Sequence, residues 1–396
     1  MKPTPPAEHF IEHHGLQGCV FWKNKGDVIK FLKENGAQKL LLLQGMNEDS
    51  KIKIQHPTFA DLKGLMVDTE ALHLSMCELR VRKTQEEIRL MRHVSTISTK
   101  AHVAVMKQCL PGMMEYQLEA LFKYYCMFYG GDRFLAYSAI CACAEDNSAT
   151  LHYHQNSDRL VDGGLCLLDM GCEYFGYVSD ITNTFPVNGK FTDKQRGIYL
   201  AVKAANEAVQ QAAKPGVTYL EMHILANRVL LEELVKLDIV RGNVDEMMEV
   251  NLAGYFQPHG LGHMIGYDVH DVGGYTKVTP SRPPKGYGLK NLRTARCLEP
   301  GMCITIEPGC YFVDALLDEA LDNPDLYKFL NPEVLNSYRG FGGVRIEDCV
   351  LITETGVELL SKLPREPEQI ELMMAEAAQL NGNFVTPSVM EEPKAL

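Results

Sequence analysis

The chain has 396 residues, of which 46% are hydrophobic and 23% are charged, and its 51 acidic and 39 basic side chains give a net charge of −12. This length accommodates one large domain and a smaller one, with the composition of an ordinary globular protein. The negative charge argues against nucleic acid or an anionic membrane as a partner. No apolar run reaches the roughly 20 residues that a membrane span requires.

Cysteine usage and the first residues bear on location. The twelve cysteines are scattered and form no Cys-x-x-Cys pair, which predicts reduced and mostly buried thiols. The opening stretch reads MKPTPPAEHFIEHHG and has no apolar signal-peptide core. We therefore expect a cytoplasmic protein.

The first element of the chain is a short αβ domain, predicted over residues 1–80. The segment GDVIKFLKENGA at 26–37 has helical periodicity, and the apolar run KLLLLQG at 39–45 predicts a strand. Loop residues follow the strand. We therefore expect a small domain ahead of the main one.

A long amphipathic helix is predicted from Thr84, because TQEE forms a capping box with Glu87 and apolar residues follow at helical spacing. The Pro-Gly pair at 111 and 112 stops this helix, and another begins after it. We expect the main domain to occupy 81–385 and a disordered tail to occupy 386–396.

The same helix–turn–helix arrangement recurs 104 residues later. This recurrence predicts a duplicated α+β fold, with two halves facing each other across a cleft. Coincidence is the alternative, since helix–turn–helix units are common. The residues that match at this offset are Ala101, Ala104, Val105, Pro111 and Gly112 with Ala205, Ala208, Val209, Pro215 and Gly216.

Two aspartates interrupt an apolar hairpin with the sequence LLDMGCEYFGYVSD, residues 167–180. A turn centred on Tyr174 and Phe175 would place Asp169 opposite Asp180, with Cβ atoms about 5 Å apart. Two carboxylates that close raise each other's pKa unless a cation lies between them. The alternative is a pair of unrelated turn or cap aspartates.

Further polar residues lie in apolar surroundings, where charged side chains are seldom buried unless they are paired or bound to metal. Two Asp, two Glu and one His suit an ion such as manganese, and four carboxylates balance two divalent ions. Taken singly, each residue has an ordinary structural explanation as a core histidine, a turn residue or an ion-pair partner. The residues concerned are His259, His263, His270, Glu307, Arg345 and Glu347.

Four segments of this chain resemble the Xaa-Pro dipeptidases, or prolidases, of the pita-bread metallopeptidase family. The resemblance covers residues 70–385 roughly and implies an α+β pita-bread fold, with duplicated halves around a dinuclear metal cleft and a short N-terminal αβ segment. The segments are LLDMGCEYFGYVSDITNTFPVNGKFT, PHGLGHMIGYDVHDVGGY, LRTARCLEPGMCITIEPGCYF and RGFGGVRIEDCVLIT.

The resemblance also implies roles for individual residues. Two divalent ions, for which we expect manganese, would be held by Asp169, Asp180, His263, Glu307 and Glu347. Catalysis would involve Glu307 as proton carrier together with His152, His259 and His270. Substrate contacts would come from Arg293, His152, His270 and Arg345, with Arg293 binding the substrate carboxylate.

The expected reaction is hydrolysis of Xaa-Pro and Xaa-hydroxyproline dipeptides by a hydroxide shared between the two ions. Two alternatives stay open: a Xaa-Pro aminopeptidase acting on longer peptides, and a non-catalytic pita-bread binding protein. Arg293 favours the dipeptidase, because a cation at the end of the pocket captures a free carboxylate. The intact ligand set opposes the binding protein.

Two departures from the family pattern affect assembly and substrate contacts. The segment before Thr84 is shorter than the family's usual N-terminal domain, which contributes to the dimer in relatives, so we expect a homodimer to be weakened here. The loop at 155–164 is also shortened. The rim of the substrate pocket is therefore expected to differ.

Overall fold

The computed structural model describes residues 3–47, 51–59, 62–143, 147–283 and 286–381. The chain divides into two compact units, Met1–Cys77 and Glu78–Leu396. Within the described ranges, no helix combines the length and the apolar character that crossing a bilayer would require. The tail predicted at 386–396 lies outside the described residues.

The first unit contains the predicted helix, but the strand predicted over 39–45 covers only Lys39–Leu41, and further strands and a helix follow where loop was expected. Strand β1 pairs in parallel with β4, and β2 pairs antiparallel with β3. Helix α2 begins where the Asp27 carboxylate accepts a hydrogen bond from the Asn24 N–H at 3.0 Å. The elements, of which α3 continues into the second unit, are α1 (Ala7–His14), α2 (Lys25–Glu34), β1 (Lys39–Leu41), β2 (Gly45–Met46), β3 (Lys53–Ile54), β4 (Met66–Asp68) and α3 (Ala71–Val81).

The second unit alternates long helices with short antiparallel sheets. Its apolar core includes the fully buried rings of Phe122, Phe185 and Tyr199, which bring α5, β10 and α6 together. The elements are α4 (Gln85–Gln108), α5 (Glu115–Tyr125), β5 (Phe134–Leu135), β6 (Ile140–Ala142), β7 (Leu165–Asp169), β8 (Cys172–Tyr174), β9 (Tyr177–Val178), β10 (Thr182–Pro186), α6 (Asp193–Ala212), α7 (Tyr219–Lys236), α8 (Val244–Glu249), β11 (Cys303–Ile306), β12 (Gly309–Tyr311), α9 (Asp314–Asp322), α10 (Pro324–Tyr327), α11 (Pro332–Asn336), β13 (Gly343–Arg345), β14 (Asp348–Ile352), β15 (Val357–Leu359) and α12 (Pro367–Asn381).

The duplication predicted from the sequence is present in the structure. After α4 the chain turns at Gly112, with φ of 88°, and after α6 it turns at Gly216, with φ of 92°. Glycine adopts such angles without strain. The Gly112 N–H donates to the Leu160 carbonyl at 2.8 Å, and the Gly216 N–H donates to the Leu298 carbonyl at 3.0 Å. The α+β halves are thus repeated in their hydrogen bonds as well as in their helices.

Each half places a three-stranded antiparallel sheet beside its helices. The first sheet has the order β10-β7-β6 and the second the order β11-β14-β15. Two further small sheets, β5-β8-β9 and β12-β13, complete the unit in the described ranges. The main strands of the two halves also meet, because the Glu347 N–H donates to the Thr182 carbonyl at 3.0 Å.

The hairpin register predicted for the two aspartates is wrong by two residues. The turn is formed by Phe175 and Gly176, whose φ values are 49° and 84°, and Asp169 pairs with Thr182 rather than with Asp180. A two-residue hairpin turn of this kind needs positive φ at both positions, which glycine provides readily. The glycine therefore moves the turn one residue beyond the predicted centre.

Replacing Thr84 by alanine is expected to lower the free energy of unfolding by about 1 kcal/mol. The Thr84 hydroxyl accepts from the Glu87 N–H at 3.3 Å, and the Glu87 carboxylate accepts from the Thr84 N–H at 2.7 Å. Urea unfolding measures the change. Thr96→Ala on the same helix is the control, because this exposed hydroxyl donates to the Arg92 carbonyl in the middle of the helix and does not cap its end. An equal loss in both variants would contradict the capping role.

Candidate metal centre

Four acidic residues lie at the ends of strands where the two halves meet. Asp169 is the last residue of β7, and Asp180 lies just before β10. Glu307 directly follows β11, and Glu347 lies between β13 and β14. Because equivalent strands of the duplicated halves end at the same place, the sequence brings two carboxylates from each half together.

His263 joins this group through backbone pairing with β11. The Thr305 N–H donates to the His263 carbonyl at 2.9 Å. In the ring, Nδ1 lies 3.0 Å from the Met264 carbonyl, which can only accept, so Nδ1 carries a proton. Nε2 lies 3.3 Å from Asp180 Oδ2 and 3.6 Å from Glu307 Oε1. Burial opposes a charge on this ring, but the hydrogen bond to Asp180 and the charge of Glu307 raise the pKa of His263 to about 9. Without metal, Nε2 therefore carries a proton between the two carboxylates, and a bound cation would take the place of that proton.

The charges of the cluster show the same need for a cation. One potential ligand atom from each of Asp180, His263 and Glu347 lies within 4.8 Å of the others, and all three residues are buried. Burial, followed by repulsion from Asp180, raises the pKa values of Asp169 and Glu347. Burial also raises the pKa of Glu307. These residues therefore fit divalent ions, whose charge would relieve the repulsion.

Tyr137 holds the first two aspartates together and was not predicted from the sequence. Its hydroxyl lies 2.6 Å from Asp169 Oδ1 and 2.6 Å from Asp180 Oδ1. Burial, together with the two negative charges, raises its pKa well above the usual range, so the hydroxyl stays protonated and donates. The only sequence signal is a tyrosine close to β6, which does not distinguish a site residue from a core residue.

Arg345 connects the carboxylates of the two halves. Its guanidinium donates to Asp169 Oδ2 at 2.8 Å, to the Tyr311 hydroxyl at 2.8 Å and to Thr182 Oγ1 at 3.1 Å. Thr182 in turn donates to Glu347 Oε2 at 2.7 Å. Arg345, which was predicted, therefore lies against the acidic cluster. Thr182, which the sequence analysis missed, links Arg345 to Glu347 through two hydrogen bonds and so helps to orient the Glu347 carboxylate.

His259 lies beside the cluster with both ring nitrogens engaged. Nδ1 donates to the Gly260 carbonyl at 2.8 Å, and Nε2 lies 3.0 Å from the Tyr311 hydroxyl. Burial, and then the charge of Arg345, lower the pKa of His259 to about 3. The ring is consequently neutral, and the hydrogen-bonded chain fixes its orientation.

The remaining predicted residues also approach the cluster. The His270 ring meets the His263 ring edge to face, with centroids 4.5 Å apart. His152 is exposed and lies within electrostatic reach of His270. Arg293 is half-buried; burial lowers the pKa of its guanidinium, and the negative charge of Glu307 opposes that shift. His270 and Arg293 thus lie near the carboxylates, and His152 lies near His270 and Arg345.

Several known proteins are similar to this chain. The model of metallopeptidase family M24 matches residues 89–354. The human Xaa-Pro dipeptidase is 46% identical over 93% of this chain and 74% of its own length. A probable Xaa-Pro aminopeptidase of Paracoccidioides lutzii is 40% identical over 78% of this chain and 66% of its own. A structure of zinc-substituted aminopeptidase P from E. coli, in complex with product, has a TM-score of 0.65 and 38% identity, over 79% of this chain and 63% of that one.

The fold, the acidic cluster and these matches define the class of protein, a metallopeptidase with the pita-bread fold. The chain belongs to metallopeptidase family M24 and is a metal-dependent peptide hydrolase. It spans less than two thirds of the length of the matched E. coli chain.

Proposed function

We propose that this protein is a dinuclear metal-dependent dipeptidase that hydrolyses Xaa-Pro and Xaa-hydroxyproline dipeptides. The observation that carries this proposal is the buried convergence of Asp180, His263 and Glu347, with ligand atoms within 4.8 Å of one another. The name of the 46% identical human relative supports the choice of substrate. The complete acidic set also argues against a non-catalytic binding protein.

Five residues would hold the ions: Asp169, Asp180, His263, Glu307 and Glu347. We favour manganese, because an oxygen-rich set with a single imidazole suits a borderline-hard ion. When bound, two divalent ions would supply Lewis-acid polarisation of the scissile carbonyl and an activated water. Thr182, Tyr137 and Arg345 would orient the carboxylates through the hydrogen bonds described above.

Glu307 would transfer the proton, and three histidines would assist catalysis. Burial raises the pKa of Glu307, which favours its taking up a proton and passing it to the departing proline nitrogen. His270 and His152 would donate to the substrate. His259 would shape the same wall as a neutral ring held by Tyr311 and Gly260.

Arg293 would select short substrates. The Xaa-Pro bond is a tertiary amide without an N–H, so peptidases that bind their substrates through that N–H cannot hydrolyse it. A guanidinium near Glu307 can instead bind the proline carboxylate, which lies one residue from the scissile carbonyl. A third residue would displace the carboxylate from this cation, so dipeptides should be preferred.

Hydrolysis of Gly-Pro and Gly-Pro-Ala by the manganese-loaded protein tests the proposal. We expect kcat/KM to be at least about 10-fold higher for Gly-Pro, the factor that 1.4 kcal/mol of carboxylate binding produces. Equal rates on both peptides would favour the aminopeptidase, which the matched E. coli structure keeps as the second candidate. No hydrolysis of either peptide would contradict both.

We also infer a cytoplasmic location. All twelve cysteines are free, and ten of the twelve are buried, which suits a reducing compartment. The weakened homodimer expected from the sequence stays a prediction.

A further inference from the structure

The duplicated helices α4 and α6 carry buried polar residues at equivalent positions. His102 and Asn206 are separated by the same 104 residues as the other matched positions, and their exposed fractions are 0% and 2%. A buried polar side chain is retained when it completes a hydrogen bond. In both helices that bond goes to backbone next to a candidate metal ligand.

Asn206 connects the two strand ends that carry the glutamates. Its Nδ2 donates to the Ile306 carbonyl at 3.1 Å and to the Ile346 carbonyl at 3.3 Å. These carbonyls belong to the residues directly before Glu307 and Glu347. A single amide therefore bridges the two chain segments directly before the residues that carry the carboxylates.

His102 makes the corresponding contact in the first half. Its Nε2 donates to the Met170 carbonyl at 2.9 Å, and the ring also lies close to the Ile181 carbonyl. These residues directly follow Asp169 and Asp180. Burial lowers the pKa of His102 to about 4, so the ring is neutral, and its single proton is on Nε2, the nitrogen that faces the carbonyls.

We propose that His102 and Asn206 are positioning residues, each of which fixes the spacing of the two acidic side chains of its own half from behind the site. The regular ladder of the first sheet ends at the Asp169–Thr182 pair, and that of the second ends at Ile306–Asp348. The helical donors bridge the strands where this pairing stops. They hold the ligand-bearing ends against rigid helices, as a preorganised site requires. This inference rests on the metal site proposed above.

Isothermal titration calorimetry of Mn²⁺ binding to the metal-free protein tests the positioning role. His102→Leu and Asn206→Leu remove the donors, and we expect each to weaken Mn²⁺ binding by roughly 10- to 100-fold, as loss of supporting contacts does at other metal sites. Excess Mn²⁺ should restore kcat on Gly-Pro while KM stays near the parent value. A variant with lower thermal stability but parental Mn²⁺ affinity would overturn the inference.

The controls separate a lost donor from a damaged core. Ser95→Ala removes a buried hydroxyl of α4 that has no hydrogen-bond partner in the part of the chain that the structure describes, and it should leave Mn²⁺ affinity unchanged. His102→Gln keeps an amide donor near the position of Nε2 and should recover most of the affinity. If His102→Gln binds Mn²⁺ as weakly as His102→Leu, the donor role is wrong.

A milder variant covers the case in which a leucine variant does not fold. Gln210 Nε2 donates to Asn206 Oδ1 at 2.5 Å and so fixes which way the Asn206 amide points. Gln210→Met should weaken Mn²⁺ binding several-fold, and an unchanged affinity would count against the inference. Parent protein that binds no Mn²⁺ would overturn the proposed metal site and this inference with it.

Discussion

Asp180→Asn is expected to abolish peptidase activity and the stabilisation that metal provides. Its carboxylate lies 2.6 Å from the Tyr137 hydroxyl and 3.3 Å from His263 Nε2, at the centre of the proposed ligand set. Loss of a residue that supports a metal ligand lowers metal affinity or activity by about 10- to 100-fold. Loss of a ligand itself should therefore lower kcat/KM on Gly-Pro by more than about 100-fold.

Thermal unfolding gives a second and independent readout for Asp180→Asn. Without metal and at neutral pH, the variant should melt below the parent protein, because the hydrogen bonds from His263 and Tyr137 outweigh burial and hold the pKa of Asp180 below its usual range. With Mn²⁺, the parent should gain stability by mass action, and the variant should gain little. Elemental analysis that finds no metal in the parent, or a fully active variant after Mn²⁺ reconstitution, would contradict the prediction.

Asp132→Asn is the matched control. Asp132 is a buried aspartate of the same half, and its carboxylate accepts a hydrogen bond from the Cys172 thiol at 2.6 Å. Burial raises its pKa to about 6, so a neutral amide replaces a group that is already readily protonated. Its activity and its response to Mn²⁺ should stay close to those of the parent.

Arg293→Ala is expected to reduce kcat/KM on Gly-Pro by roughly 10- to 150-fold. Hydrogen bonds to charged groups contribute about 1.5–3 kcal/mol, and the guanidinium can meet the proline carboxylate with two of them. Arg293→Lys keeps the charge without the planar fork, so it should fall between the parent and the alanine variant. Steady-state kinetics on the three proteins measure this order.

Gly-Pro amide provides the control substrate for Arg293. It lacks the negative charge, so the parent enzyme should cut it poorly, and Arg293→Ala should change that rate little. A similar fold loss on Gly-Pro and on the amide would mean that the variant damages the site in general. An unchanged rate on Gly-Pro would place Arg293 in an ordinary ion pair of small energetic effect.

Features set by neighbouring residues were predictable from the sequence. The Thr84–Glu87 capping box and the repeated Pro-Gly turns depend on contacts within a few residues, and both are present. The 104-residue offset then predicted the duplicated halves. The hairpin register failed because the alternation of residues fits more than one turn position, and the positive φ of Gly176 decides between them.

Contacts between distant segments could not be predicted from residue types alone. Tyr137 and Thr182 each hold carboxylates of the cluster, yet a tyrosine or a threonine near an apolar strand is the normal composition of a sheet. The acidic residues were found because a charge in apolar surroundings is unusual. A neutral residue gives no such signal, so His102 and Asn206 became informative only once their partners were known.

The meeting of the two halves has a consequence for how the site can be lost. Asp169 and Asp180 belong to one half and His263, Glu307 and Glu347 to the other, so neither half contains the whole set. Bonds such as that from the Glu347 N–H to the Thr182 carbonyl join the halves directly. A small displacement of one half from the other would therefore abolish activity, even though every metal-binding residue is still present. Ions that bind across this junction would in turn stabilise the contact between the two halves.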